Sequence, residues 1–191
     1  IKHPNNAKIK AELLFTASRL TELNIVDKYS SDISTLGVKK GVCDPMKLLH
    51  LEDNPQAHLT RAINFYNKEI KGVCKKIDYC KKEMIYIGYF SADFNLHPVM
   101  HLISRIIELH DNFKFKIFLY SFGLEDNYTE SIKDKVFCFR DIRNFSDLKA
   151  TEIARNDSLD IAIDLMGYTK NNRMKIFSNR IAPVQINFLG F

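Results

Sequence analysis

From Met84 onward, short, predominantly apolar runs alternate with stretches of helical character, and this alternation limits the possible folds more than any other feature of the chain. The runs Met84–Phe90, Phe115–Tyr120, Val136–Phe139, Leu159–Leu165 and Val184–Phe188 read as strands. Between them, Pro98–Leu109, Thr129–Asp134, Ser146–Asn156 and Asn172–Ser178 read as helices. A strand that is apolar at every position is suited to burial on both faces, as in a parallel sheet. Strand and helix in strict alternation, joined by short links, give right-handed crossovers and an open, doubly wound α/β sheet of Rossmann-like type. Ligands of such sheets sit at the carboxyl ends of the strands. That rule selects Ser91–His97, Ser121–Asp126, Met166–Arg173 and Leu189–Phe191.

Residues 1–82 differ in kind. They are rich in Lys, Asn and Leu and lack strong strand runs, and they read as a helical segment ahead of the α/β lobe at 83–191. Leu13, Leu14, Ala17 and Leu20 form a helical stripe. Asn54-Pro55 fits a helix cap followed by Pro at the first helical position, with Leu59, Ala62, Ile63 and Tyr66 expected on the apolar face. No 34-residue repeat is evident in this segment. Apolar content is 46%, enough for a core, and no run of about 18 apolar residues suggests a membrane span. The first residues do not read as a signal peptide, and the initial Ile suggests a chain cut from a longer one. A cytoplasmic protein with all four cysteines (Cys43, Cys74, Cys80, Cys138) as reduced thiols is expected, since none forms a CxxC pair or has His partners at zinc spacing. Cys138, in an apolar run, is expected to be buried. Net charge is +5, with Lys68, Lys71, Lys75, Lys76, Lys81 and Lys82 close together. Such a run suits a nucleic-acid groove or a solvated face. The interleaved Glu69, Asp78 and Glu83 and the lack of RNA-recognition or helix-turn-helix signatures favour the solvated face, so no nucleic-acid partner is expected.

The first strand ends in Ser-Ala-Asp-Phe-Asn-Leu-His-Pro without the glycines of a dinucleotide fingerprint, and no P-loop occurs. What stands there instead is a His at a helix start. Pro98 fits the first helical position, making His97 the cap or its neighbour. The partial positive charge and amide donors of a helix N-terminus suit a docked anion and bias a nearby His toward its neutral form. Asp93 can orient His97 in the manner of an acid partner, or the two merely cap the helix and satisfy the loop. His97 and His101 lie one helical turn apart, but no third ligand accompanies them, so no metal is expected and His101 is expected beneath the loop. The loop Met166–Arg173 offers Gly167 for a sharp turn, with Tyr168, Thr169, Lys170 and Arg173 as donors and cations for an anionic ligand. A solvated loop is the other reading. Leu189-Gly190-Phe191 follows the last strand.

Taken together, SADFNLHPVMHL after the first strand, DLMGYTKNNRMKIFSNRIAPVQINFLGF at the end and DPMKLLHLEDNPQAHLTRA upstream resemble the O-linked N-acetylglucosamine transferase family, in its bacterial SPINDLY-like branch. The resemblance covers roughly residues 40–191. It implies the N-terminal lobe of a GT-B glycosyltransferase, with the donor-binding lobe and tetratricopeptide repeats lying elsewhere. The implied chemistry is inverting, metal-independent transfer of N-acetylglucosamine from UDP-GlcNAc, a co-substrate rather than a cofactor, to Ser or Thr of acceptor proteins. By the same resemblance, His97 and Asp93 are the catalytic candidates, and Tyr168, Thr169, Arg173, Leu189 and Gly190 are cleft positions. Tyr168 stands where many bacterial members have His, Val99 where animal enzymes have Thr, and Phe191 where Tyr is usual. Cys43-Asp44-Pro45-Met46 replaces a His-rich stretch of the animal enzymes. Two other readings stay open: a SPINDLY-like fucosyltransferase using GDP-fucose, and a non-catalytic protein-binding lobe.

Overall fold

The computed structural model describes residues 6–73, 76–78 and 81–190. Lys75, Cys74, Cys80 and Phe191 lie outside them. The chain divides into two compact units, residues 1–71 and 72–191.

In the first unit, α1 (Ala7–Arg19) is capped by Asn6, whose side chain accepts from the amides of Lys8 and Ile9. Helix α2 (Leu23–Ile33), a 3₁₀ turn (Pro45–Leu48) and α3 (Pro55–Phe65), which runs into a π turn (Tyr66–Ile70), complete the unit. As expected, Asn54 caps α3, accepting from Ala57 N at 3.0 Å, with Pro55 at the first helical position. The face of α3 differs from the sequence expectation. Leu59 and Ile63 are exposed, while Ala57 and Arg61 are buried. The cause is Arg61. Its Nε donates to Leu36 O at 2.8 Å and its Nη2 to Ile33 O at 2.6 Å, and Nη2 pairs with Glu52 at 2.6 Å. Carbonyls left open where α2 ends find donors this way, and the helix turns its guanidinium inward to supply them. The core around this tie is Ala7, Ala11, Leu14, Ile33, Leu36, Cys43 and Leu48. Burial pushes the Cys43 thiol up to about 11, so it packs as a small hydrophobe.

The second unit is the doubly wound α/β lobe. Strands β1 (Ile85–Ser91), β2 (Phe115–Ser121), β3 (Cys138–Asp141), β4 (Ile161–Asp164) and β5 (Val184–Asn187) form one parallel sheet in the order β3-β2-β1-β4-β5. Helices α4 (Pro98–Glu108), α5 (Asn127–Lys133), α6 (Asp147–Asn156) and α7 (Met174–Ser178) connect them. Alternate residues of each strand serve opposite faces. Ile87, Tyr89, Ile117 and Leu119 pack with Met100, Ile103 and Ile107 of α4 and Ile132 of α5. Phe90, Phe118, Tyr120 and Ala162 pack with Ala150 and Ala154 of α6 and Ile176 of α7. Phe90 and Tyr120 stack in parallel at 4.2 Å between ring centres.

Two strands depart from the expectation. β3 lies two residues later than the apolar run suggests, because Cys138 pairs with Phe118 and leaves Phe137 exposed. Cys138 is consequently half-buried rather than buried. β5 is an edge strand in which apolar Val184 and Ile186 alternate with Gln185 and Asn187, and both apolar residues are exposed, so it is not buried on both faces. Among the described residues no helix is long and apolar enough to cross a membrane.

Candidate active site at the strand switch point

The chain leaves β1 toward β2 and β3, then returns to lay β4 on the other side of β1. The boundary between β1 and β4 is therefore the switch point of the sheet, and at its carboxyl ends open α/β sheets bind ligands in a crevice between the diverging loops. Both loops carry the residues singled out from the sequence.

The β1 loop is braced before it reaches His97. Asp93 N donates to Ser91 Oγ at 2.9 Å, and the Ser91 hydroxyl reaches Met166 Sδ at 3.4 Å across the crevice floor. Leu96 N donates to Asp126 Oδ2 at 2.8 Å, Asn95 Nδ2 to Leu124 O at 3.0 Å, and the Thr129 hydroxyl to Phe94 O at 2.6 Å. Asp126 also caps α5, in a box completed by the Thr129 hydroxyl. These donors hold the Asp126 carboxyl below its usual range, the Leu96 amide foremost. Gly123 follows β2 where no side chain fits: a Cβ there would stand 1.7 Å from Ala92 O.

His97 is the cap of α4. Its Nδ1 accepts from Val99 N at 3.3 Å and lies 3.6 Å from Asp93 Oδ2. Burial raises the Asp93 carboxyl above its usual range, against the opposing pull of His97. The amides of the first helical turn are all engaged. Pro98 has none, Val99 is held by the imidazole, and Met100 and His101 donate to His97 O. The helix start thus offers an anion its dipole but no free amide, contrary to the expectation from sequence. His101 is exposed, with its ring against Tyr128, rather than beneath the loop. Among the described residues, no three His, Cys, Asp or Glu side chains gather as a metal set.

The β4 loop is folded by Asp164. Its carboxylate accepts from Met166 N at 2.9 Å and Gly167 N at 3.2 Å. Burial raises its pKa, and the two amides pull against that shift. Gly167 adopts φ +54°, and the turn closes with the Thr169 amide and hydroxyl both donating to Met166 O. Tyr168 and Thr169 are half-buried at the turn. The β5 loop rests on this turn. A Cβ on Gly190 would meet Gly167 N at 2.3 Å, and Leu189 takes φ +65° to bring the chain there. Gly190 is therefore brought onto the Met166–Thr169 turn, and Asp93 onto His97. Arg173 is turned elsewhere. Its Nε pairs with Asp147 Oδ1, and Nη1 and Nη2 donate to Ile142 O and Phe145 O, each at 2.7 Å, with the side chain only 14% exposed. Three of its donors thus fix the β4 loop to the β3–α6 loop. A separate cavity of about 300 Å³, lined by Lys82, Arg155, Asp160 and Pro183 among others, opens at the amino ends of the strands, away from this crevice.

Residues 60–191, which hold the whole sheet and its loops, match the model of glycosyl transferase family 41. The chain belongs to that family. Among curated relatives, an Arabidopsis thaliana protein described as probable UDP-N-acetylglucosamine–peptide N-acetylglucosaminyltransferase SEC is 34% identical over 107 residues, which is 55% of this chain and 11% of that protein. The Caenorhabditis elegans UDP-N-acetylglucosamine–peptide N-acetylglucosaminyltransferase is 34% identical over 112 residues, 57% of this chain and 10% of that protein. The probable SPINDLY enzyme of Arabidopsis thaliana is 35% identical over 112 residues, 56% of this chain and 12% of that protein. Among solved structures, a mutant O-GlcNAc transferase of Thermobaculum terrenum superposes with a TM-score of 0.68 at 26% identity, covering 88% of this chain and 32% of that one. The chain thus spans about a tenth of the length of these curated relatives. The fold expected from the sequence, a Rossmann-like lobe of the GT-B kind, is the fold of this family 41 lobe.

The bracing roles of the supporting residues escaped the sequence reading, although Ser91, Gly123 and Asp126 lie in the strand-end stretches it selects. Ser91, Gly123, Asp126, Thr129 and Asp147 act on loops distant in sequence, and their partners follow only from strand order. A local signal existed for Asp126, because Asp is a favoured residue at a helix N-cap.

Proposed function

We propose that this lobe supplies the His97-bearing wall of the active-site cleft in a protein O-GlcNAc transferase, which moves N-acetylglucosamine with inversion from UDP-GlcNAc to Ser or Thr hydroxyls of acceptor proteins. The observation that carries the reading is the convergence of the family 41 match with a braced, helix-capping His97 at the strand switch point. His97 touches the reacting groups, with Asp93 beside it. Tyr168, Thr169, Leu189 and Gly190 shape the opposite wall, and Arg173 holds that wall in place through Asp147 and the two carbonyls. The positive end of the α4 dipole faces the charge that develops on the departing diphosphate. Acceptor proteins and the nucleotide sugar are the partners this reading implies. The test is transfer by the full-length protein with and without His97→Ala. A loss of about two orders of magnitude or more in turnover, with the lobe still folded, is expected for an electrostatic or proton-handling group. Near wild-type turnover in that variant overturns the assignment.

A further inference from the structure

A His that caps a helix through its ring has a constrained proton. Val99 N–H can only donate, so the Nδ1 that receives it at 3.3 Å carries a lone pair. The neutral ring must then bear its hydrogen on Nε2. An acid partner working as in a hydrolytic triad demands the reverse, with Nδ1–H donating to the carboxylate. Here Asp93 Oδ2 stands 3.6 Å from the same Nδ1, beyond a normal hydrogen bond. The two neighbours compete for one nitrogen, and the geometry favours the amide. Nε2, on the far side of a ring whose side chain is 42% exposed, has no hydrogen-bond partner among the described residues. Since the first-turn amides of α4 are all engaged, Nε2–H is the donor that remains at this helix start.

We propose that His97 is held by the Val99 amide as its Nε2–H tautomer and acts in the cleft as a hydrogen-bond donor to an oxygen of the bound substrates, best an anionic one, rather than as a proton acceptor. In this tautomer Nε2 has no lone pair to take a proton from an acceptor hydroxyl. The inference rests on the glycosyltransferase reading for what is bound, but the tautomer itself does not. Burial of Asp93 agrees with it, since a carboxyl pushed toward its neutral form is a weaker anionic partner.

Two measurements test it. Long-range proton–nitrogen correlation spectra of the ¹⁵N-labelled chain, at a pH where the ring is neutral, should show Nε2 protonated and Nδ1 as the lone-pair nitrogen. Asp93→Asn should leave that pattern in place. A dominant Nδ1–H form, or one that switches in Asp93→Asn, overturns the proposal. In the full-length protein, His97→Gln keeps an amide donor near the Nε2 position but cannot accept a proton. It should retain turnover within about tenfold of wild type, while His97→Ala falls about a hundredfold or more. Equal collapse of the two variants overturns the donor role. Absence of transfer by the wild type instead overturns the glycosyltransferase reading, and the spectra still decide the tautomer.

Discussion

Arg173 shows how a residue chosen for one role is placed for another. In the sequence it is one of several cations in a loop after a strand, suited to an anionic ligand. In the structure three of its nitrogens are engaged by Asp147, Ile142 O and Phe145 O. A planar fork meets such a set and an ammonium does not. Arg173→Ala should therefore cost about 2–4 kcal/mol in chemical denaturation, given ordinary values for hydrogen bonds to a charged group. Arg173→Lys should recover only a minor part of the loss. A stability unchanged in both variants would show that the fork is not holding the loop. The pairing of His97 with Asp93 was legible because both lie in one short loop at a strand–Pro–helix junction, four residues apart, where local pattern suffices. The partners of Arg173 were not, because 26 residues separate it from Asp147 and only the crossover from β3 to β4 brings the two loops together.

The elements show the same division. Every strand and helix of the α/β lobe was legible, since predominantly apolar runs and helical stripes are local signals. Register and burial were not. The late start of β3 is set by pairing with β2, and the inward face of α3 is set by carbonyls that need the Arg61 guanidinium. Two predictions belong to the loops that join these elements. Gly123→Ala places a methyl against Ala92 O. The β1 loop must shift, with a destabilisation of about 1–3 kcal/mol, typical of overpacking, and His97 should move with it. The check is a thermal melt together with a loss of turnover. Asp126 links α5 to Leu96. Its folded-state carboxyl titrates below the unfolded one, so its contribution is present above the unfolded value of about 4 and is lost as pH falls through the lowered folded value. Protection of the Leu96 and Thr129 amides, relative to their intrinsic exchange rates, should fall selectively over that acidic range, and Asp126→Asn should already show lower protection at neutral pH. Unchanged protection in the variant would remove Asp126 from the brace.

At the scale of the molecule, the switch point joins fold to function. Strand order β3-β2-β1-β4-β5 separates the loops after β1 and β4, and the braces described above aim them at a shared crevice. The architecture followed from strand–helix alternation, and SADFNLHPVMHL and DLMGYTKNNR follow β1 and β4 at strand ends that this architecture selects, while the upstream motif at 44–62 lies in the first unit. The sugar, by contrast, has no residue pattern of its own in this lobe and enters through the relatives. The most direct measurement is the mass of an acceptor protein after incubation with UDP-GlcNAc and the full-length protein, in parallel for wild type and His97→Ala. The account predicts addition of N-acetylhexosamine to Ser or Thr by the wild type and a reduction of about a hundredfold in the variant. No addition by the wild type, or equal addition by both, contradicts it.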